Sequence, residues 1–367
     1  MQKNLDQWME IEWLEIAIRR HIIIPVKGFF KRLLPIPKKI LIIRFGAIGD
    51  VVHTTNVYRS IKASYPNSKI HYLTSKVPSE LLINDKDLDR VWVIDPKKIK
   101  FNSGYVKEYA KNLRAEKFDC VINLQPSFKS KYLISKIGVK RRLNYKKKNE
   151  IHAVTNFWKT AYNAIPNLNE LQNTQIFLDE NICTKVKKEI ESYPRPYIIL
   201  NVGGMHSPRQ GRVYPVEKWV ELGNKLQDKF NGTIFITGLD EDKNELKELE
   251  QIKNSVSFVG KMSLLETASL TKQVDLMVSG DSGPLHIAMA LGVKTIGLYG
   301  SMPPARSGCY GYTGSCIVSD YHCAPCNKRK CKYLKKTKEL YAPCMKAIDV
   351  EKVLGAINIR EYICPQK

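Results

Sequence analysis

The chain has 367 residues, 43% of them hydrophobic, enough for two domains with separate cores. Lys and Arg number 59 against 36 Asp and Glu, a formal charge of +23, which favours anionic partners: phosphorylated substrates, an acidic membrane or nucleic acid. Nine cysteines without a recognisable signal peptide point to a reducing compartment and exclude a small disulfide-stapled scaffold.

Residues 1–37 read as a basic amphipathic segment. Trp13, Phe29, Phe30, Leu33 and Leu34 alternate with Arg19, Arg20, Lys27, Lys31 and Arg32. The run Ile22–Ile24 is too short to cross a bilayer and ends at Pro25. Acidic residues precede it and no small-residue cleavage site follows, so it is not read as a signal peptide. The segment is expected either to lie in the plane of an anionic membrane surface or to pack on the protein itself.

Strands are predicted over Ile40–Arg44, Lys69–Leu73, Val91–Ile94 and Asp119–Leu124, with helices at 51–65, 78–84 and 104–116. A second series follows the Pro- and Asn-bearing stretch 165–196: Tyr197–Val202, Thr233–Thr237, Val256–Val259, Asp275–Val278 and Thr295–Leu298. Helical patterns at 215–230, 240–252, 263–272 and 283–291 lie between these. Continuous apolar strands bounded by helices predict parallel sheets covered on both faces, hence an α/β fold of two Rossmann-like doubly wound domains. The expected division is 38–180, then 181–345 ending in a Cys-rich tail. A C-terminal helix within 346–367 is expected, with a return to the N-terminal domain as one possibility. In such folds ligands sit beyond the carboxyl ends of the strands, so the chemistry belongs to the post-strand loops.

The first of these loops, "RFGAIGDVVHTT", carries Gly46 and Gly49 but lacks the GxGxxG spacing of a dinucleotide fingerprint. Asp50 is either a helix N-cap or a general base kept ionised at the helix N-terminus. The string Ser279-Gly-Asp-Ser-Gly-Pro-Leu-His286 joins tight-turn glycines to a Pro-led helix start, where free N–H groups can converge on a phosphate. The loop Asn201–Trp219 offers Gly203 for close approach and Arg209 and Arg212 for phosphate charge. Gly238–Asp242 offers carboxylates, either to sugar hydroxyls or as a plain acidic helix start. Cys323, Cys326, Cys331 and Cys344 are grouped closely enough for a structural zinc, without the paired CxxC spacing of a zinc ribbon.

Together, "RFGAIGDVVHTTNVYRSIKASYPNSKIHYLT", "FDCVINLQPSFKSKYLISKIGVKRRLNY", "GRVYPVEKWVELGNKL" and "VDLMVSGDSGPLHIAMALGVKTIGLYG" resemble glycosyltransferase family 9, the heptosyltransferase-type inverting enzymes, from about Lys38 to Gly300. The resemblance implies a GT-B fold, two Rossmann-like domains facing a central cleft, and transfer of a sugar from a nucleotide donor. ADP-heptose onto a lipopolysaccharide-core or related surface-glycan acceptor is the leading expectation. It makes Asp50 the general base and assigns the donor to Arg212, Asp281, Ser282, Gly283 and His286, with the loop residues Gly203 and Arg209 expected beside them. Arg212 stands where many members have lysine. Asp242, with Glu241 competing, is expected on the nucleotide sugar. Gly49, His53, Gln125 and Lys129 are expected on the acceptor side, where the basic run Lys129–Lys148 would either face an anionic glycolipid or be a plain exposed charged helix. No DxD-type motif precedes a plausible sugar site, so no catalytic cofactor is expected. The expected location is cytoplasmic, peripheral on the inner face of the inner membrane. A nucleotide-sugar 2-epimerase of the same architecture is the enzymatic alternative. A non-catalytic nucleotide- or nucleic-acid-binding module ranks last, because no stacking platform or nucleic-acid motif supports it.

Overall fold

The computed structural model describes residues 35–357 apart from positions 164, 169, 204–210, 245, 312, 313, 329 and 338. The N-terminal segment therefore lies almost wholly outside the described residues, as does Arg209. Strands β1 (Lys39–Ile43), β2 (Lys69–Thr74), β3 (Arg90–Val93), β4 (Cys120–Asn123) and β5 (Arg141–Asn144) form a parallel sheet in the order β3-β2-β1-β4-β5. A second parallel sheet runs β11-β10-β9-β6-β7-β8. Its strands are β6 (Tyr197–Asn201), β7 (Thr233–Thr237), β8 (Ser255–Ser257), β9 (Leu276–Gly280), β10 (Thr295–Tyr299) and β11 (Gly314–Val318). The longer helices are α1 (Ile48–Ser64), α2 (Gly104–Ala115), α3 (Phe128–Ile137), α4 (Ala153–Tyr162), α5 (Glu180–Ile190), α6 (Val216–Phe230), α7 (Leu264–Gln273), α8 (Gly283–Ala290) and α9 (Val350–Gly355).

Each central strand is apolar on both sides because both sides are covered. Ile40 and Ile42 pack with Tyr58 of α1 and Phe157 of α4, while Leu41 and Ile43 pack with Leu113 of α2 and Leu133 of α3. In the second lobe, Leu200 and Val278 meet Trp219 of α6, and Ile199 and Met277 meet Val186 of α5 and Leu270 of α7.

The structure departs from expectation where burial is one-sided. The edge strands β5 ("RRLN") and β11 ("GSCIV") are only partly buried and lack a continuous apolar run, so their sequences do not announce them. Helices α3, α4 and α5 are also additional. In place of one helix over 240–252 there are two tight turns, Asp240–Asp242 and Lys247–Gln251, the first closed by Asp242 folding back toward the Leu239 N–H. The predicted helix 78–84 is a single turn, Lys76–Ser79. Helix α9 packs its Val350, Val353 and Leu354 into the core of the second lobe, so the described part of 346–367 does not return to the first.

The two sheets set the site. Strand order reverses between β1 and β4 in the first and between β6 and β9 in the second, and the loops after these strands carry the candidate residues.

Candidate active site

Helix α1 begins at Ile48 with Ala47 in the capping position, and no side chain caps it. Asp50 is therefore in the first turn and not the cap, a position where a carboxylate is favoured by the helix dipole. Its Oδ2 pairs with Nη2 of Arg44. Arg44 also donates from Nη1 to the Leu124 carbonyl at 2.7 Å and lies over the Phe157 ring. The Arg44 side chain is 8% exposed and that of Asp50 33%, so the cation is sunk beneath a carboxylate that keeps one open edge. Gln125 accepts the Phe45 N–H at 3.2 Å and so clips the β1 loop to the β4 loop.

In the second lobe the turn after β9 is organised around Asp281. Arg212 reaches its Oδ2 from Nη1 at 3.2 Å, and His286 Nε2 faces its Oδ1 at 3.7 Å. Burial acts to raise the Asp281 pKa. The His286 hydrogen bond and the charges of Arg212, His286 and Arg306 outweigh it and hold the group below the ordinary value. Behind this turn lies a polar network. Asn201 Nδ2 donates to Ser279 Oγ at 2.8 Å and to Ser282 Oγ at 3.1 Å, and Thr237 donates to Asn201 Oδ1. With Ser282 held there and Pro284 in the first turn, the N-terminus of α8 opens toward the first lobe.

The lobes touch at that point. His53 of α1 and His286 of α8 approach to 3.1 Å between Nε2 and Nδ1. A proton on His286 Nε2, facing Asp281, leaves Nδ1 to accept from the His53 Nε2–H. Gly49 is the small residue this contact demands, because a Cβ there would stand 2.3 Å from Cδ2 of His286. Gly283 is the reciprocal case, with an added Cβ 3.2 Å from Cβ of Ile48. The N-termini of α1 and α8 thus meet, one from each lobe.

His152, at the start of α4, extends the contact. Its Nδ1 accepts the Val154 N–H, its Nε2 donates to the Gly308 carbonyl at 3.2 Å, and its ring stacks on Tyr310. Only the neutral Nε2–H tautomer satisfies both bonds. Burial pushes His152 down to about 4 against the Gly308 bond, and burial first, then His286 and His152, holds His53 well below its ordinary value. The unfolded chain takes up these protons near pH 6.5 and the folded one only further down. Stability is therefore complete above about pH 6.5 and falls as the pH drops toward about 4. Thermal unfolding followed from neutral to mildly acid pH should show this fall, flattened in part by His152→Asn. A Tm unmoved across that window would contradict the burial of these rings.

The sequence profile of glycosyltransferase family 9 (heptosyltransferase) matches residues 106–337, more than half of the chain. The chain belongs to glycosyltransferase family 9. It is 25% identical over 308 residues to the lipopolysaccharide core heptosyltransferase OpsX of Haemophilus influenzae, covering 78% of this chain and 85% of that protein. Lipopolysaccharide heptosyltransferase 1 of Pseudomonas aeruginosa is 20% identical over 314 residues, 80% of this chain and 88% of its own. The family 9 glycosyl transferase structure from Veillonella parvula superposes with a TM-score of 0.74 at 21% identity, over 87% of this chain and 96% of that one. The E. coli ADP-heptose lps heptosyltransferase II does so at 0.69 and 19%, over 86% and 96%. These likenesses identify the pair of facing lobes as the GT-B fold.

In this family 9 chain the structure brings Arg212, Asp281, Ser282, Gly283 and His286 together. Gly49 and His53, expected on the acceptor side, are buried against His286 of the opposite lobe. Asp242 is wholly buried and turned toward Leu239, with Gly203 beside it, whereas Glu241 is exposed. Lys129 is exposed and donates to the Pro96 carbonyl. Of the tail cysteines, Cys344 is buried and Cys323 exposed. Burial first, then the nearby thiols of Cys323, Cys331 and Cys326, push Cys344 up to about 11. These thiols share one neighbourhood, yet among the described residues no group of three or more His, Cys, Asp or Glu side chains is arranged to hold a metal ion.

Sequence reasoning missed Arg44, His152 and Arg306. Arg306, in the short turn Pro304–Ser307 after β10, acts electrostatically on His53, Tyr145 and Asp281, which places its charge at the cleft between the lobes. The post-strand rule that found the other loops applies equally to this one.

Proposed function

We propose that this glycosyltransferase is an inverting heptosyltransferase that moves heptose from ADP-heptose onto an anionic lipopolysaccharide-core acceptor. The observation that carries the reading is the pairing across the cleft. The part-open carboxylate of Asp50 belongs to one lobe, and the Arg212–Asp281–His286 turn with the α8 N-terminus belongs to the other. Family membership and the names of the relatives support the sugar and the acceptor class.

In this reading the acceptor hydroxyl lies between Asp50 and the anomeric carbon. Its oxygen forms the new glycosidic bond as the bond to the diphosphate breaks, and its proton passes to Asp50. Arg44 fixes the orientation of that carboxylate from below. The departing nucleoside diphosphate gathers negative charge that Arg212, Arg306 and the α8 N–H groups offset. Asp281 serves as the holder of Arg212 and His286, because a carboxylate aimed at a diphosphate would repel it. With two arginines in that role, the reading needs no divalent metal. The work takes place in the cytoplasm, at the inner face of the inner membrane where such an acceptor is built.

A nucleotide-sugar thermal-shift screen tests the donor. ADP-heptose should raise Tm more than UDP- or GDP-sugars at equal concentration, and transfer should survive a chelator. A larger shift with a uridine or guanosine donor would displace ADP-heptose from the reading.

A further inference from the structure

Phe128, 76% exposed, and Phe101, 73% exposed, are the most exposed large apolar side chains among the described residues. They stand together. Phe101 lies in the loop after β3 and Phe128 opens α3 after β4. Both are thus beyond the carboxyl ends of the first sheet, on the edge from which the Asp50 loop also emerges. Tyr132, one turn along α3, lies between them, 5.2 Å from the Phe101 ring and stacked at 6.4 Å on that of Phe128.

The platform is held in place. The Tyr132 hydroxyl accepts the Asn102 N–H at 2.8 Å, and Asn102 turns the chain with a φ of 52°. Ile99 is buried two residues before Phe101, and Lys129 ties the β3 loop to α3 through the Pro96 carbonyl. A fixed apolar surface left in water is costly unless something covers it.

The surrounding charge says what covers it. Lys97, Lys98 and Lys100 lead into Phe101, and the Lys136 ammonium lies 5.4 Å over the Tyr132 ring. No acidic residue occurs between Asp95 and Glu108, nor between Asp119 and Glu150. Beside α3, Lys131, Lys140 and Arg142 line a shallow, open depression with Ile134 and Asn144. A protein partner would have to supply carboxylates in register with scattered lysines. A sheet of anionic headgroups meets them in any register, and aromatic rings settle at headgroup depth.

We propose that Phe101, Phe128 and Tyr132, within their field of lysines, form a docking face for an anionic lipid bilayer. Docked there, the chain turns the edge that bears Asp50 toward the membrane surface, where a lipid-borne hydroxyl would arrive. The face lies outside the basic segment 1–37 and requires nothing of the sugar chemistry.

The test is co-sedimentation of the full chain with vesicles of phosphatidylcholine alone and of an equal mixture with phosphatidylglycerol. The unaltered chain should bind the charged vesicles, and added salt should weaken that binding. Phe101→Ser with Phe128→Ser should lower the affinity roughly tenfold or more with Tm unchanged. Lys98→Gln with Lys100→Gln should lower it by a similar factor. Equal binding to both vesicle types, or none, overturns the proposal. So does a phenylalanine variant that binds as tightly as the parent, which would assign the contact to another segment. A parent dimer that ignores vesicles and that the same variant splits would make the face a self-association surface instead.

Discussion

In the proposed mechanism Asp50→Asn should lower kcat roughly a hundredfold to ten-thousandfold, while nucleotide affinity measured by calorimetry should stay close to that of the parent. The amide has the shape of the carboxylate, and its oxygen still accepts from Arg44, so the loop after β1 is preserved. What it loses, in the proposed mechanism, is the ability to take the acceptor proton. Donor binding should be spared because the partner of Asp50 is in its own lobe, whereas the proposed donor turn built on Arg212, Asp281 and His286 is in the other. The ion pair itself carries little stability on the Asp50 side, since a third of that side chain is in water. A variant that turns over at the parent rate reduces Asp50 to a structural partner of Arg44. A variant that loses activity and donor affinity together would place its effect in the assembly of the cleft.

Gly49→Ala should lower stability even though alanine is the better helix former by about 1 kcal/mol. The added Cβ would stand 2.3 Å from His286 Cδ2, and that ring is held by His53 on one side and faces Asp281 on the other. Overpacking of this kind costs about 1–3 kcal/mol, and the alternative, parting the lobes, gives up the His53–His286 contact. The mechanism has a signature. In a His286→Ala background the clash is gone, so the same substitution should become neutral or stabilising. Thermal unfolding of the four proteins of this cycle provides the measurement. Equal effects of Gly49→Ala in both backgrounds would show that the two helix N-termini do not meet in solution as they do here.

Much of the architecture is legible in the chain alone. A strand buried on both faces is apolar along most of its length, so β1, β6, β7, β9 and β10 read directly from runs such as Ile40–Ile43. Once the alternation of strand and helix is seen, the rule that ligands gather beyond strand ends points to the loops holding Asp50, Arg212 and Asp281–His286. Strands β5 and β11 escape because an edge strand needs no continuous apolar run, and residues 240–252 because a buried carboxylate closes a turn there that charge pattern alone reads as helix.

Roles are another matter. Gly49, His53 and Asp50 sit within five positions of one another and look like parts of one loop, yet Gly49 and His53 serve a histidine 233 residues beyond His53. That Arg212 and His286 converge on Asp281 is visible only in the fold. Arg306 looks like one basic residue among 59 until its field is found at the cleft. The sequence by itself determined the two parallel sheets, their connecting helices and the loops on which chemistry could lie, because burial periodicity and turn residues are local properties. Only the tertiary structure decided which lobe each side chain serves, because those contacts join residues distant in the chain that no local pattern relates.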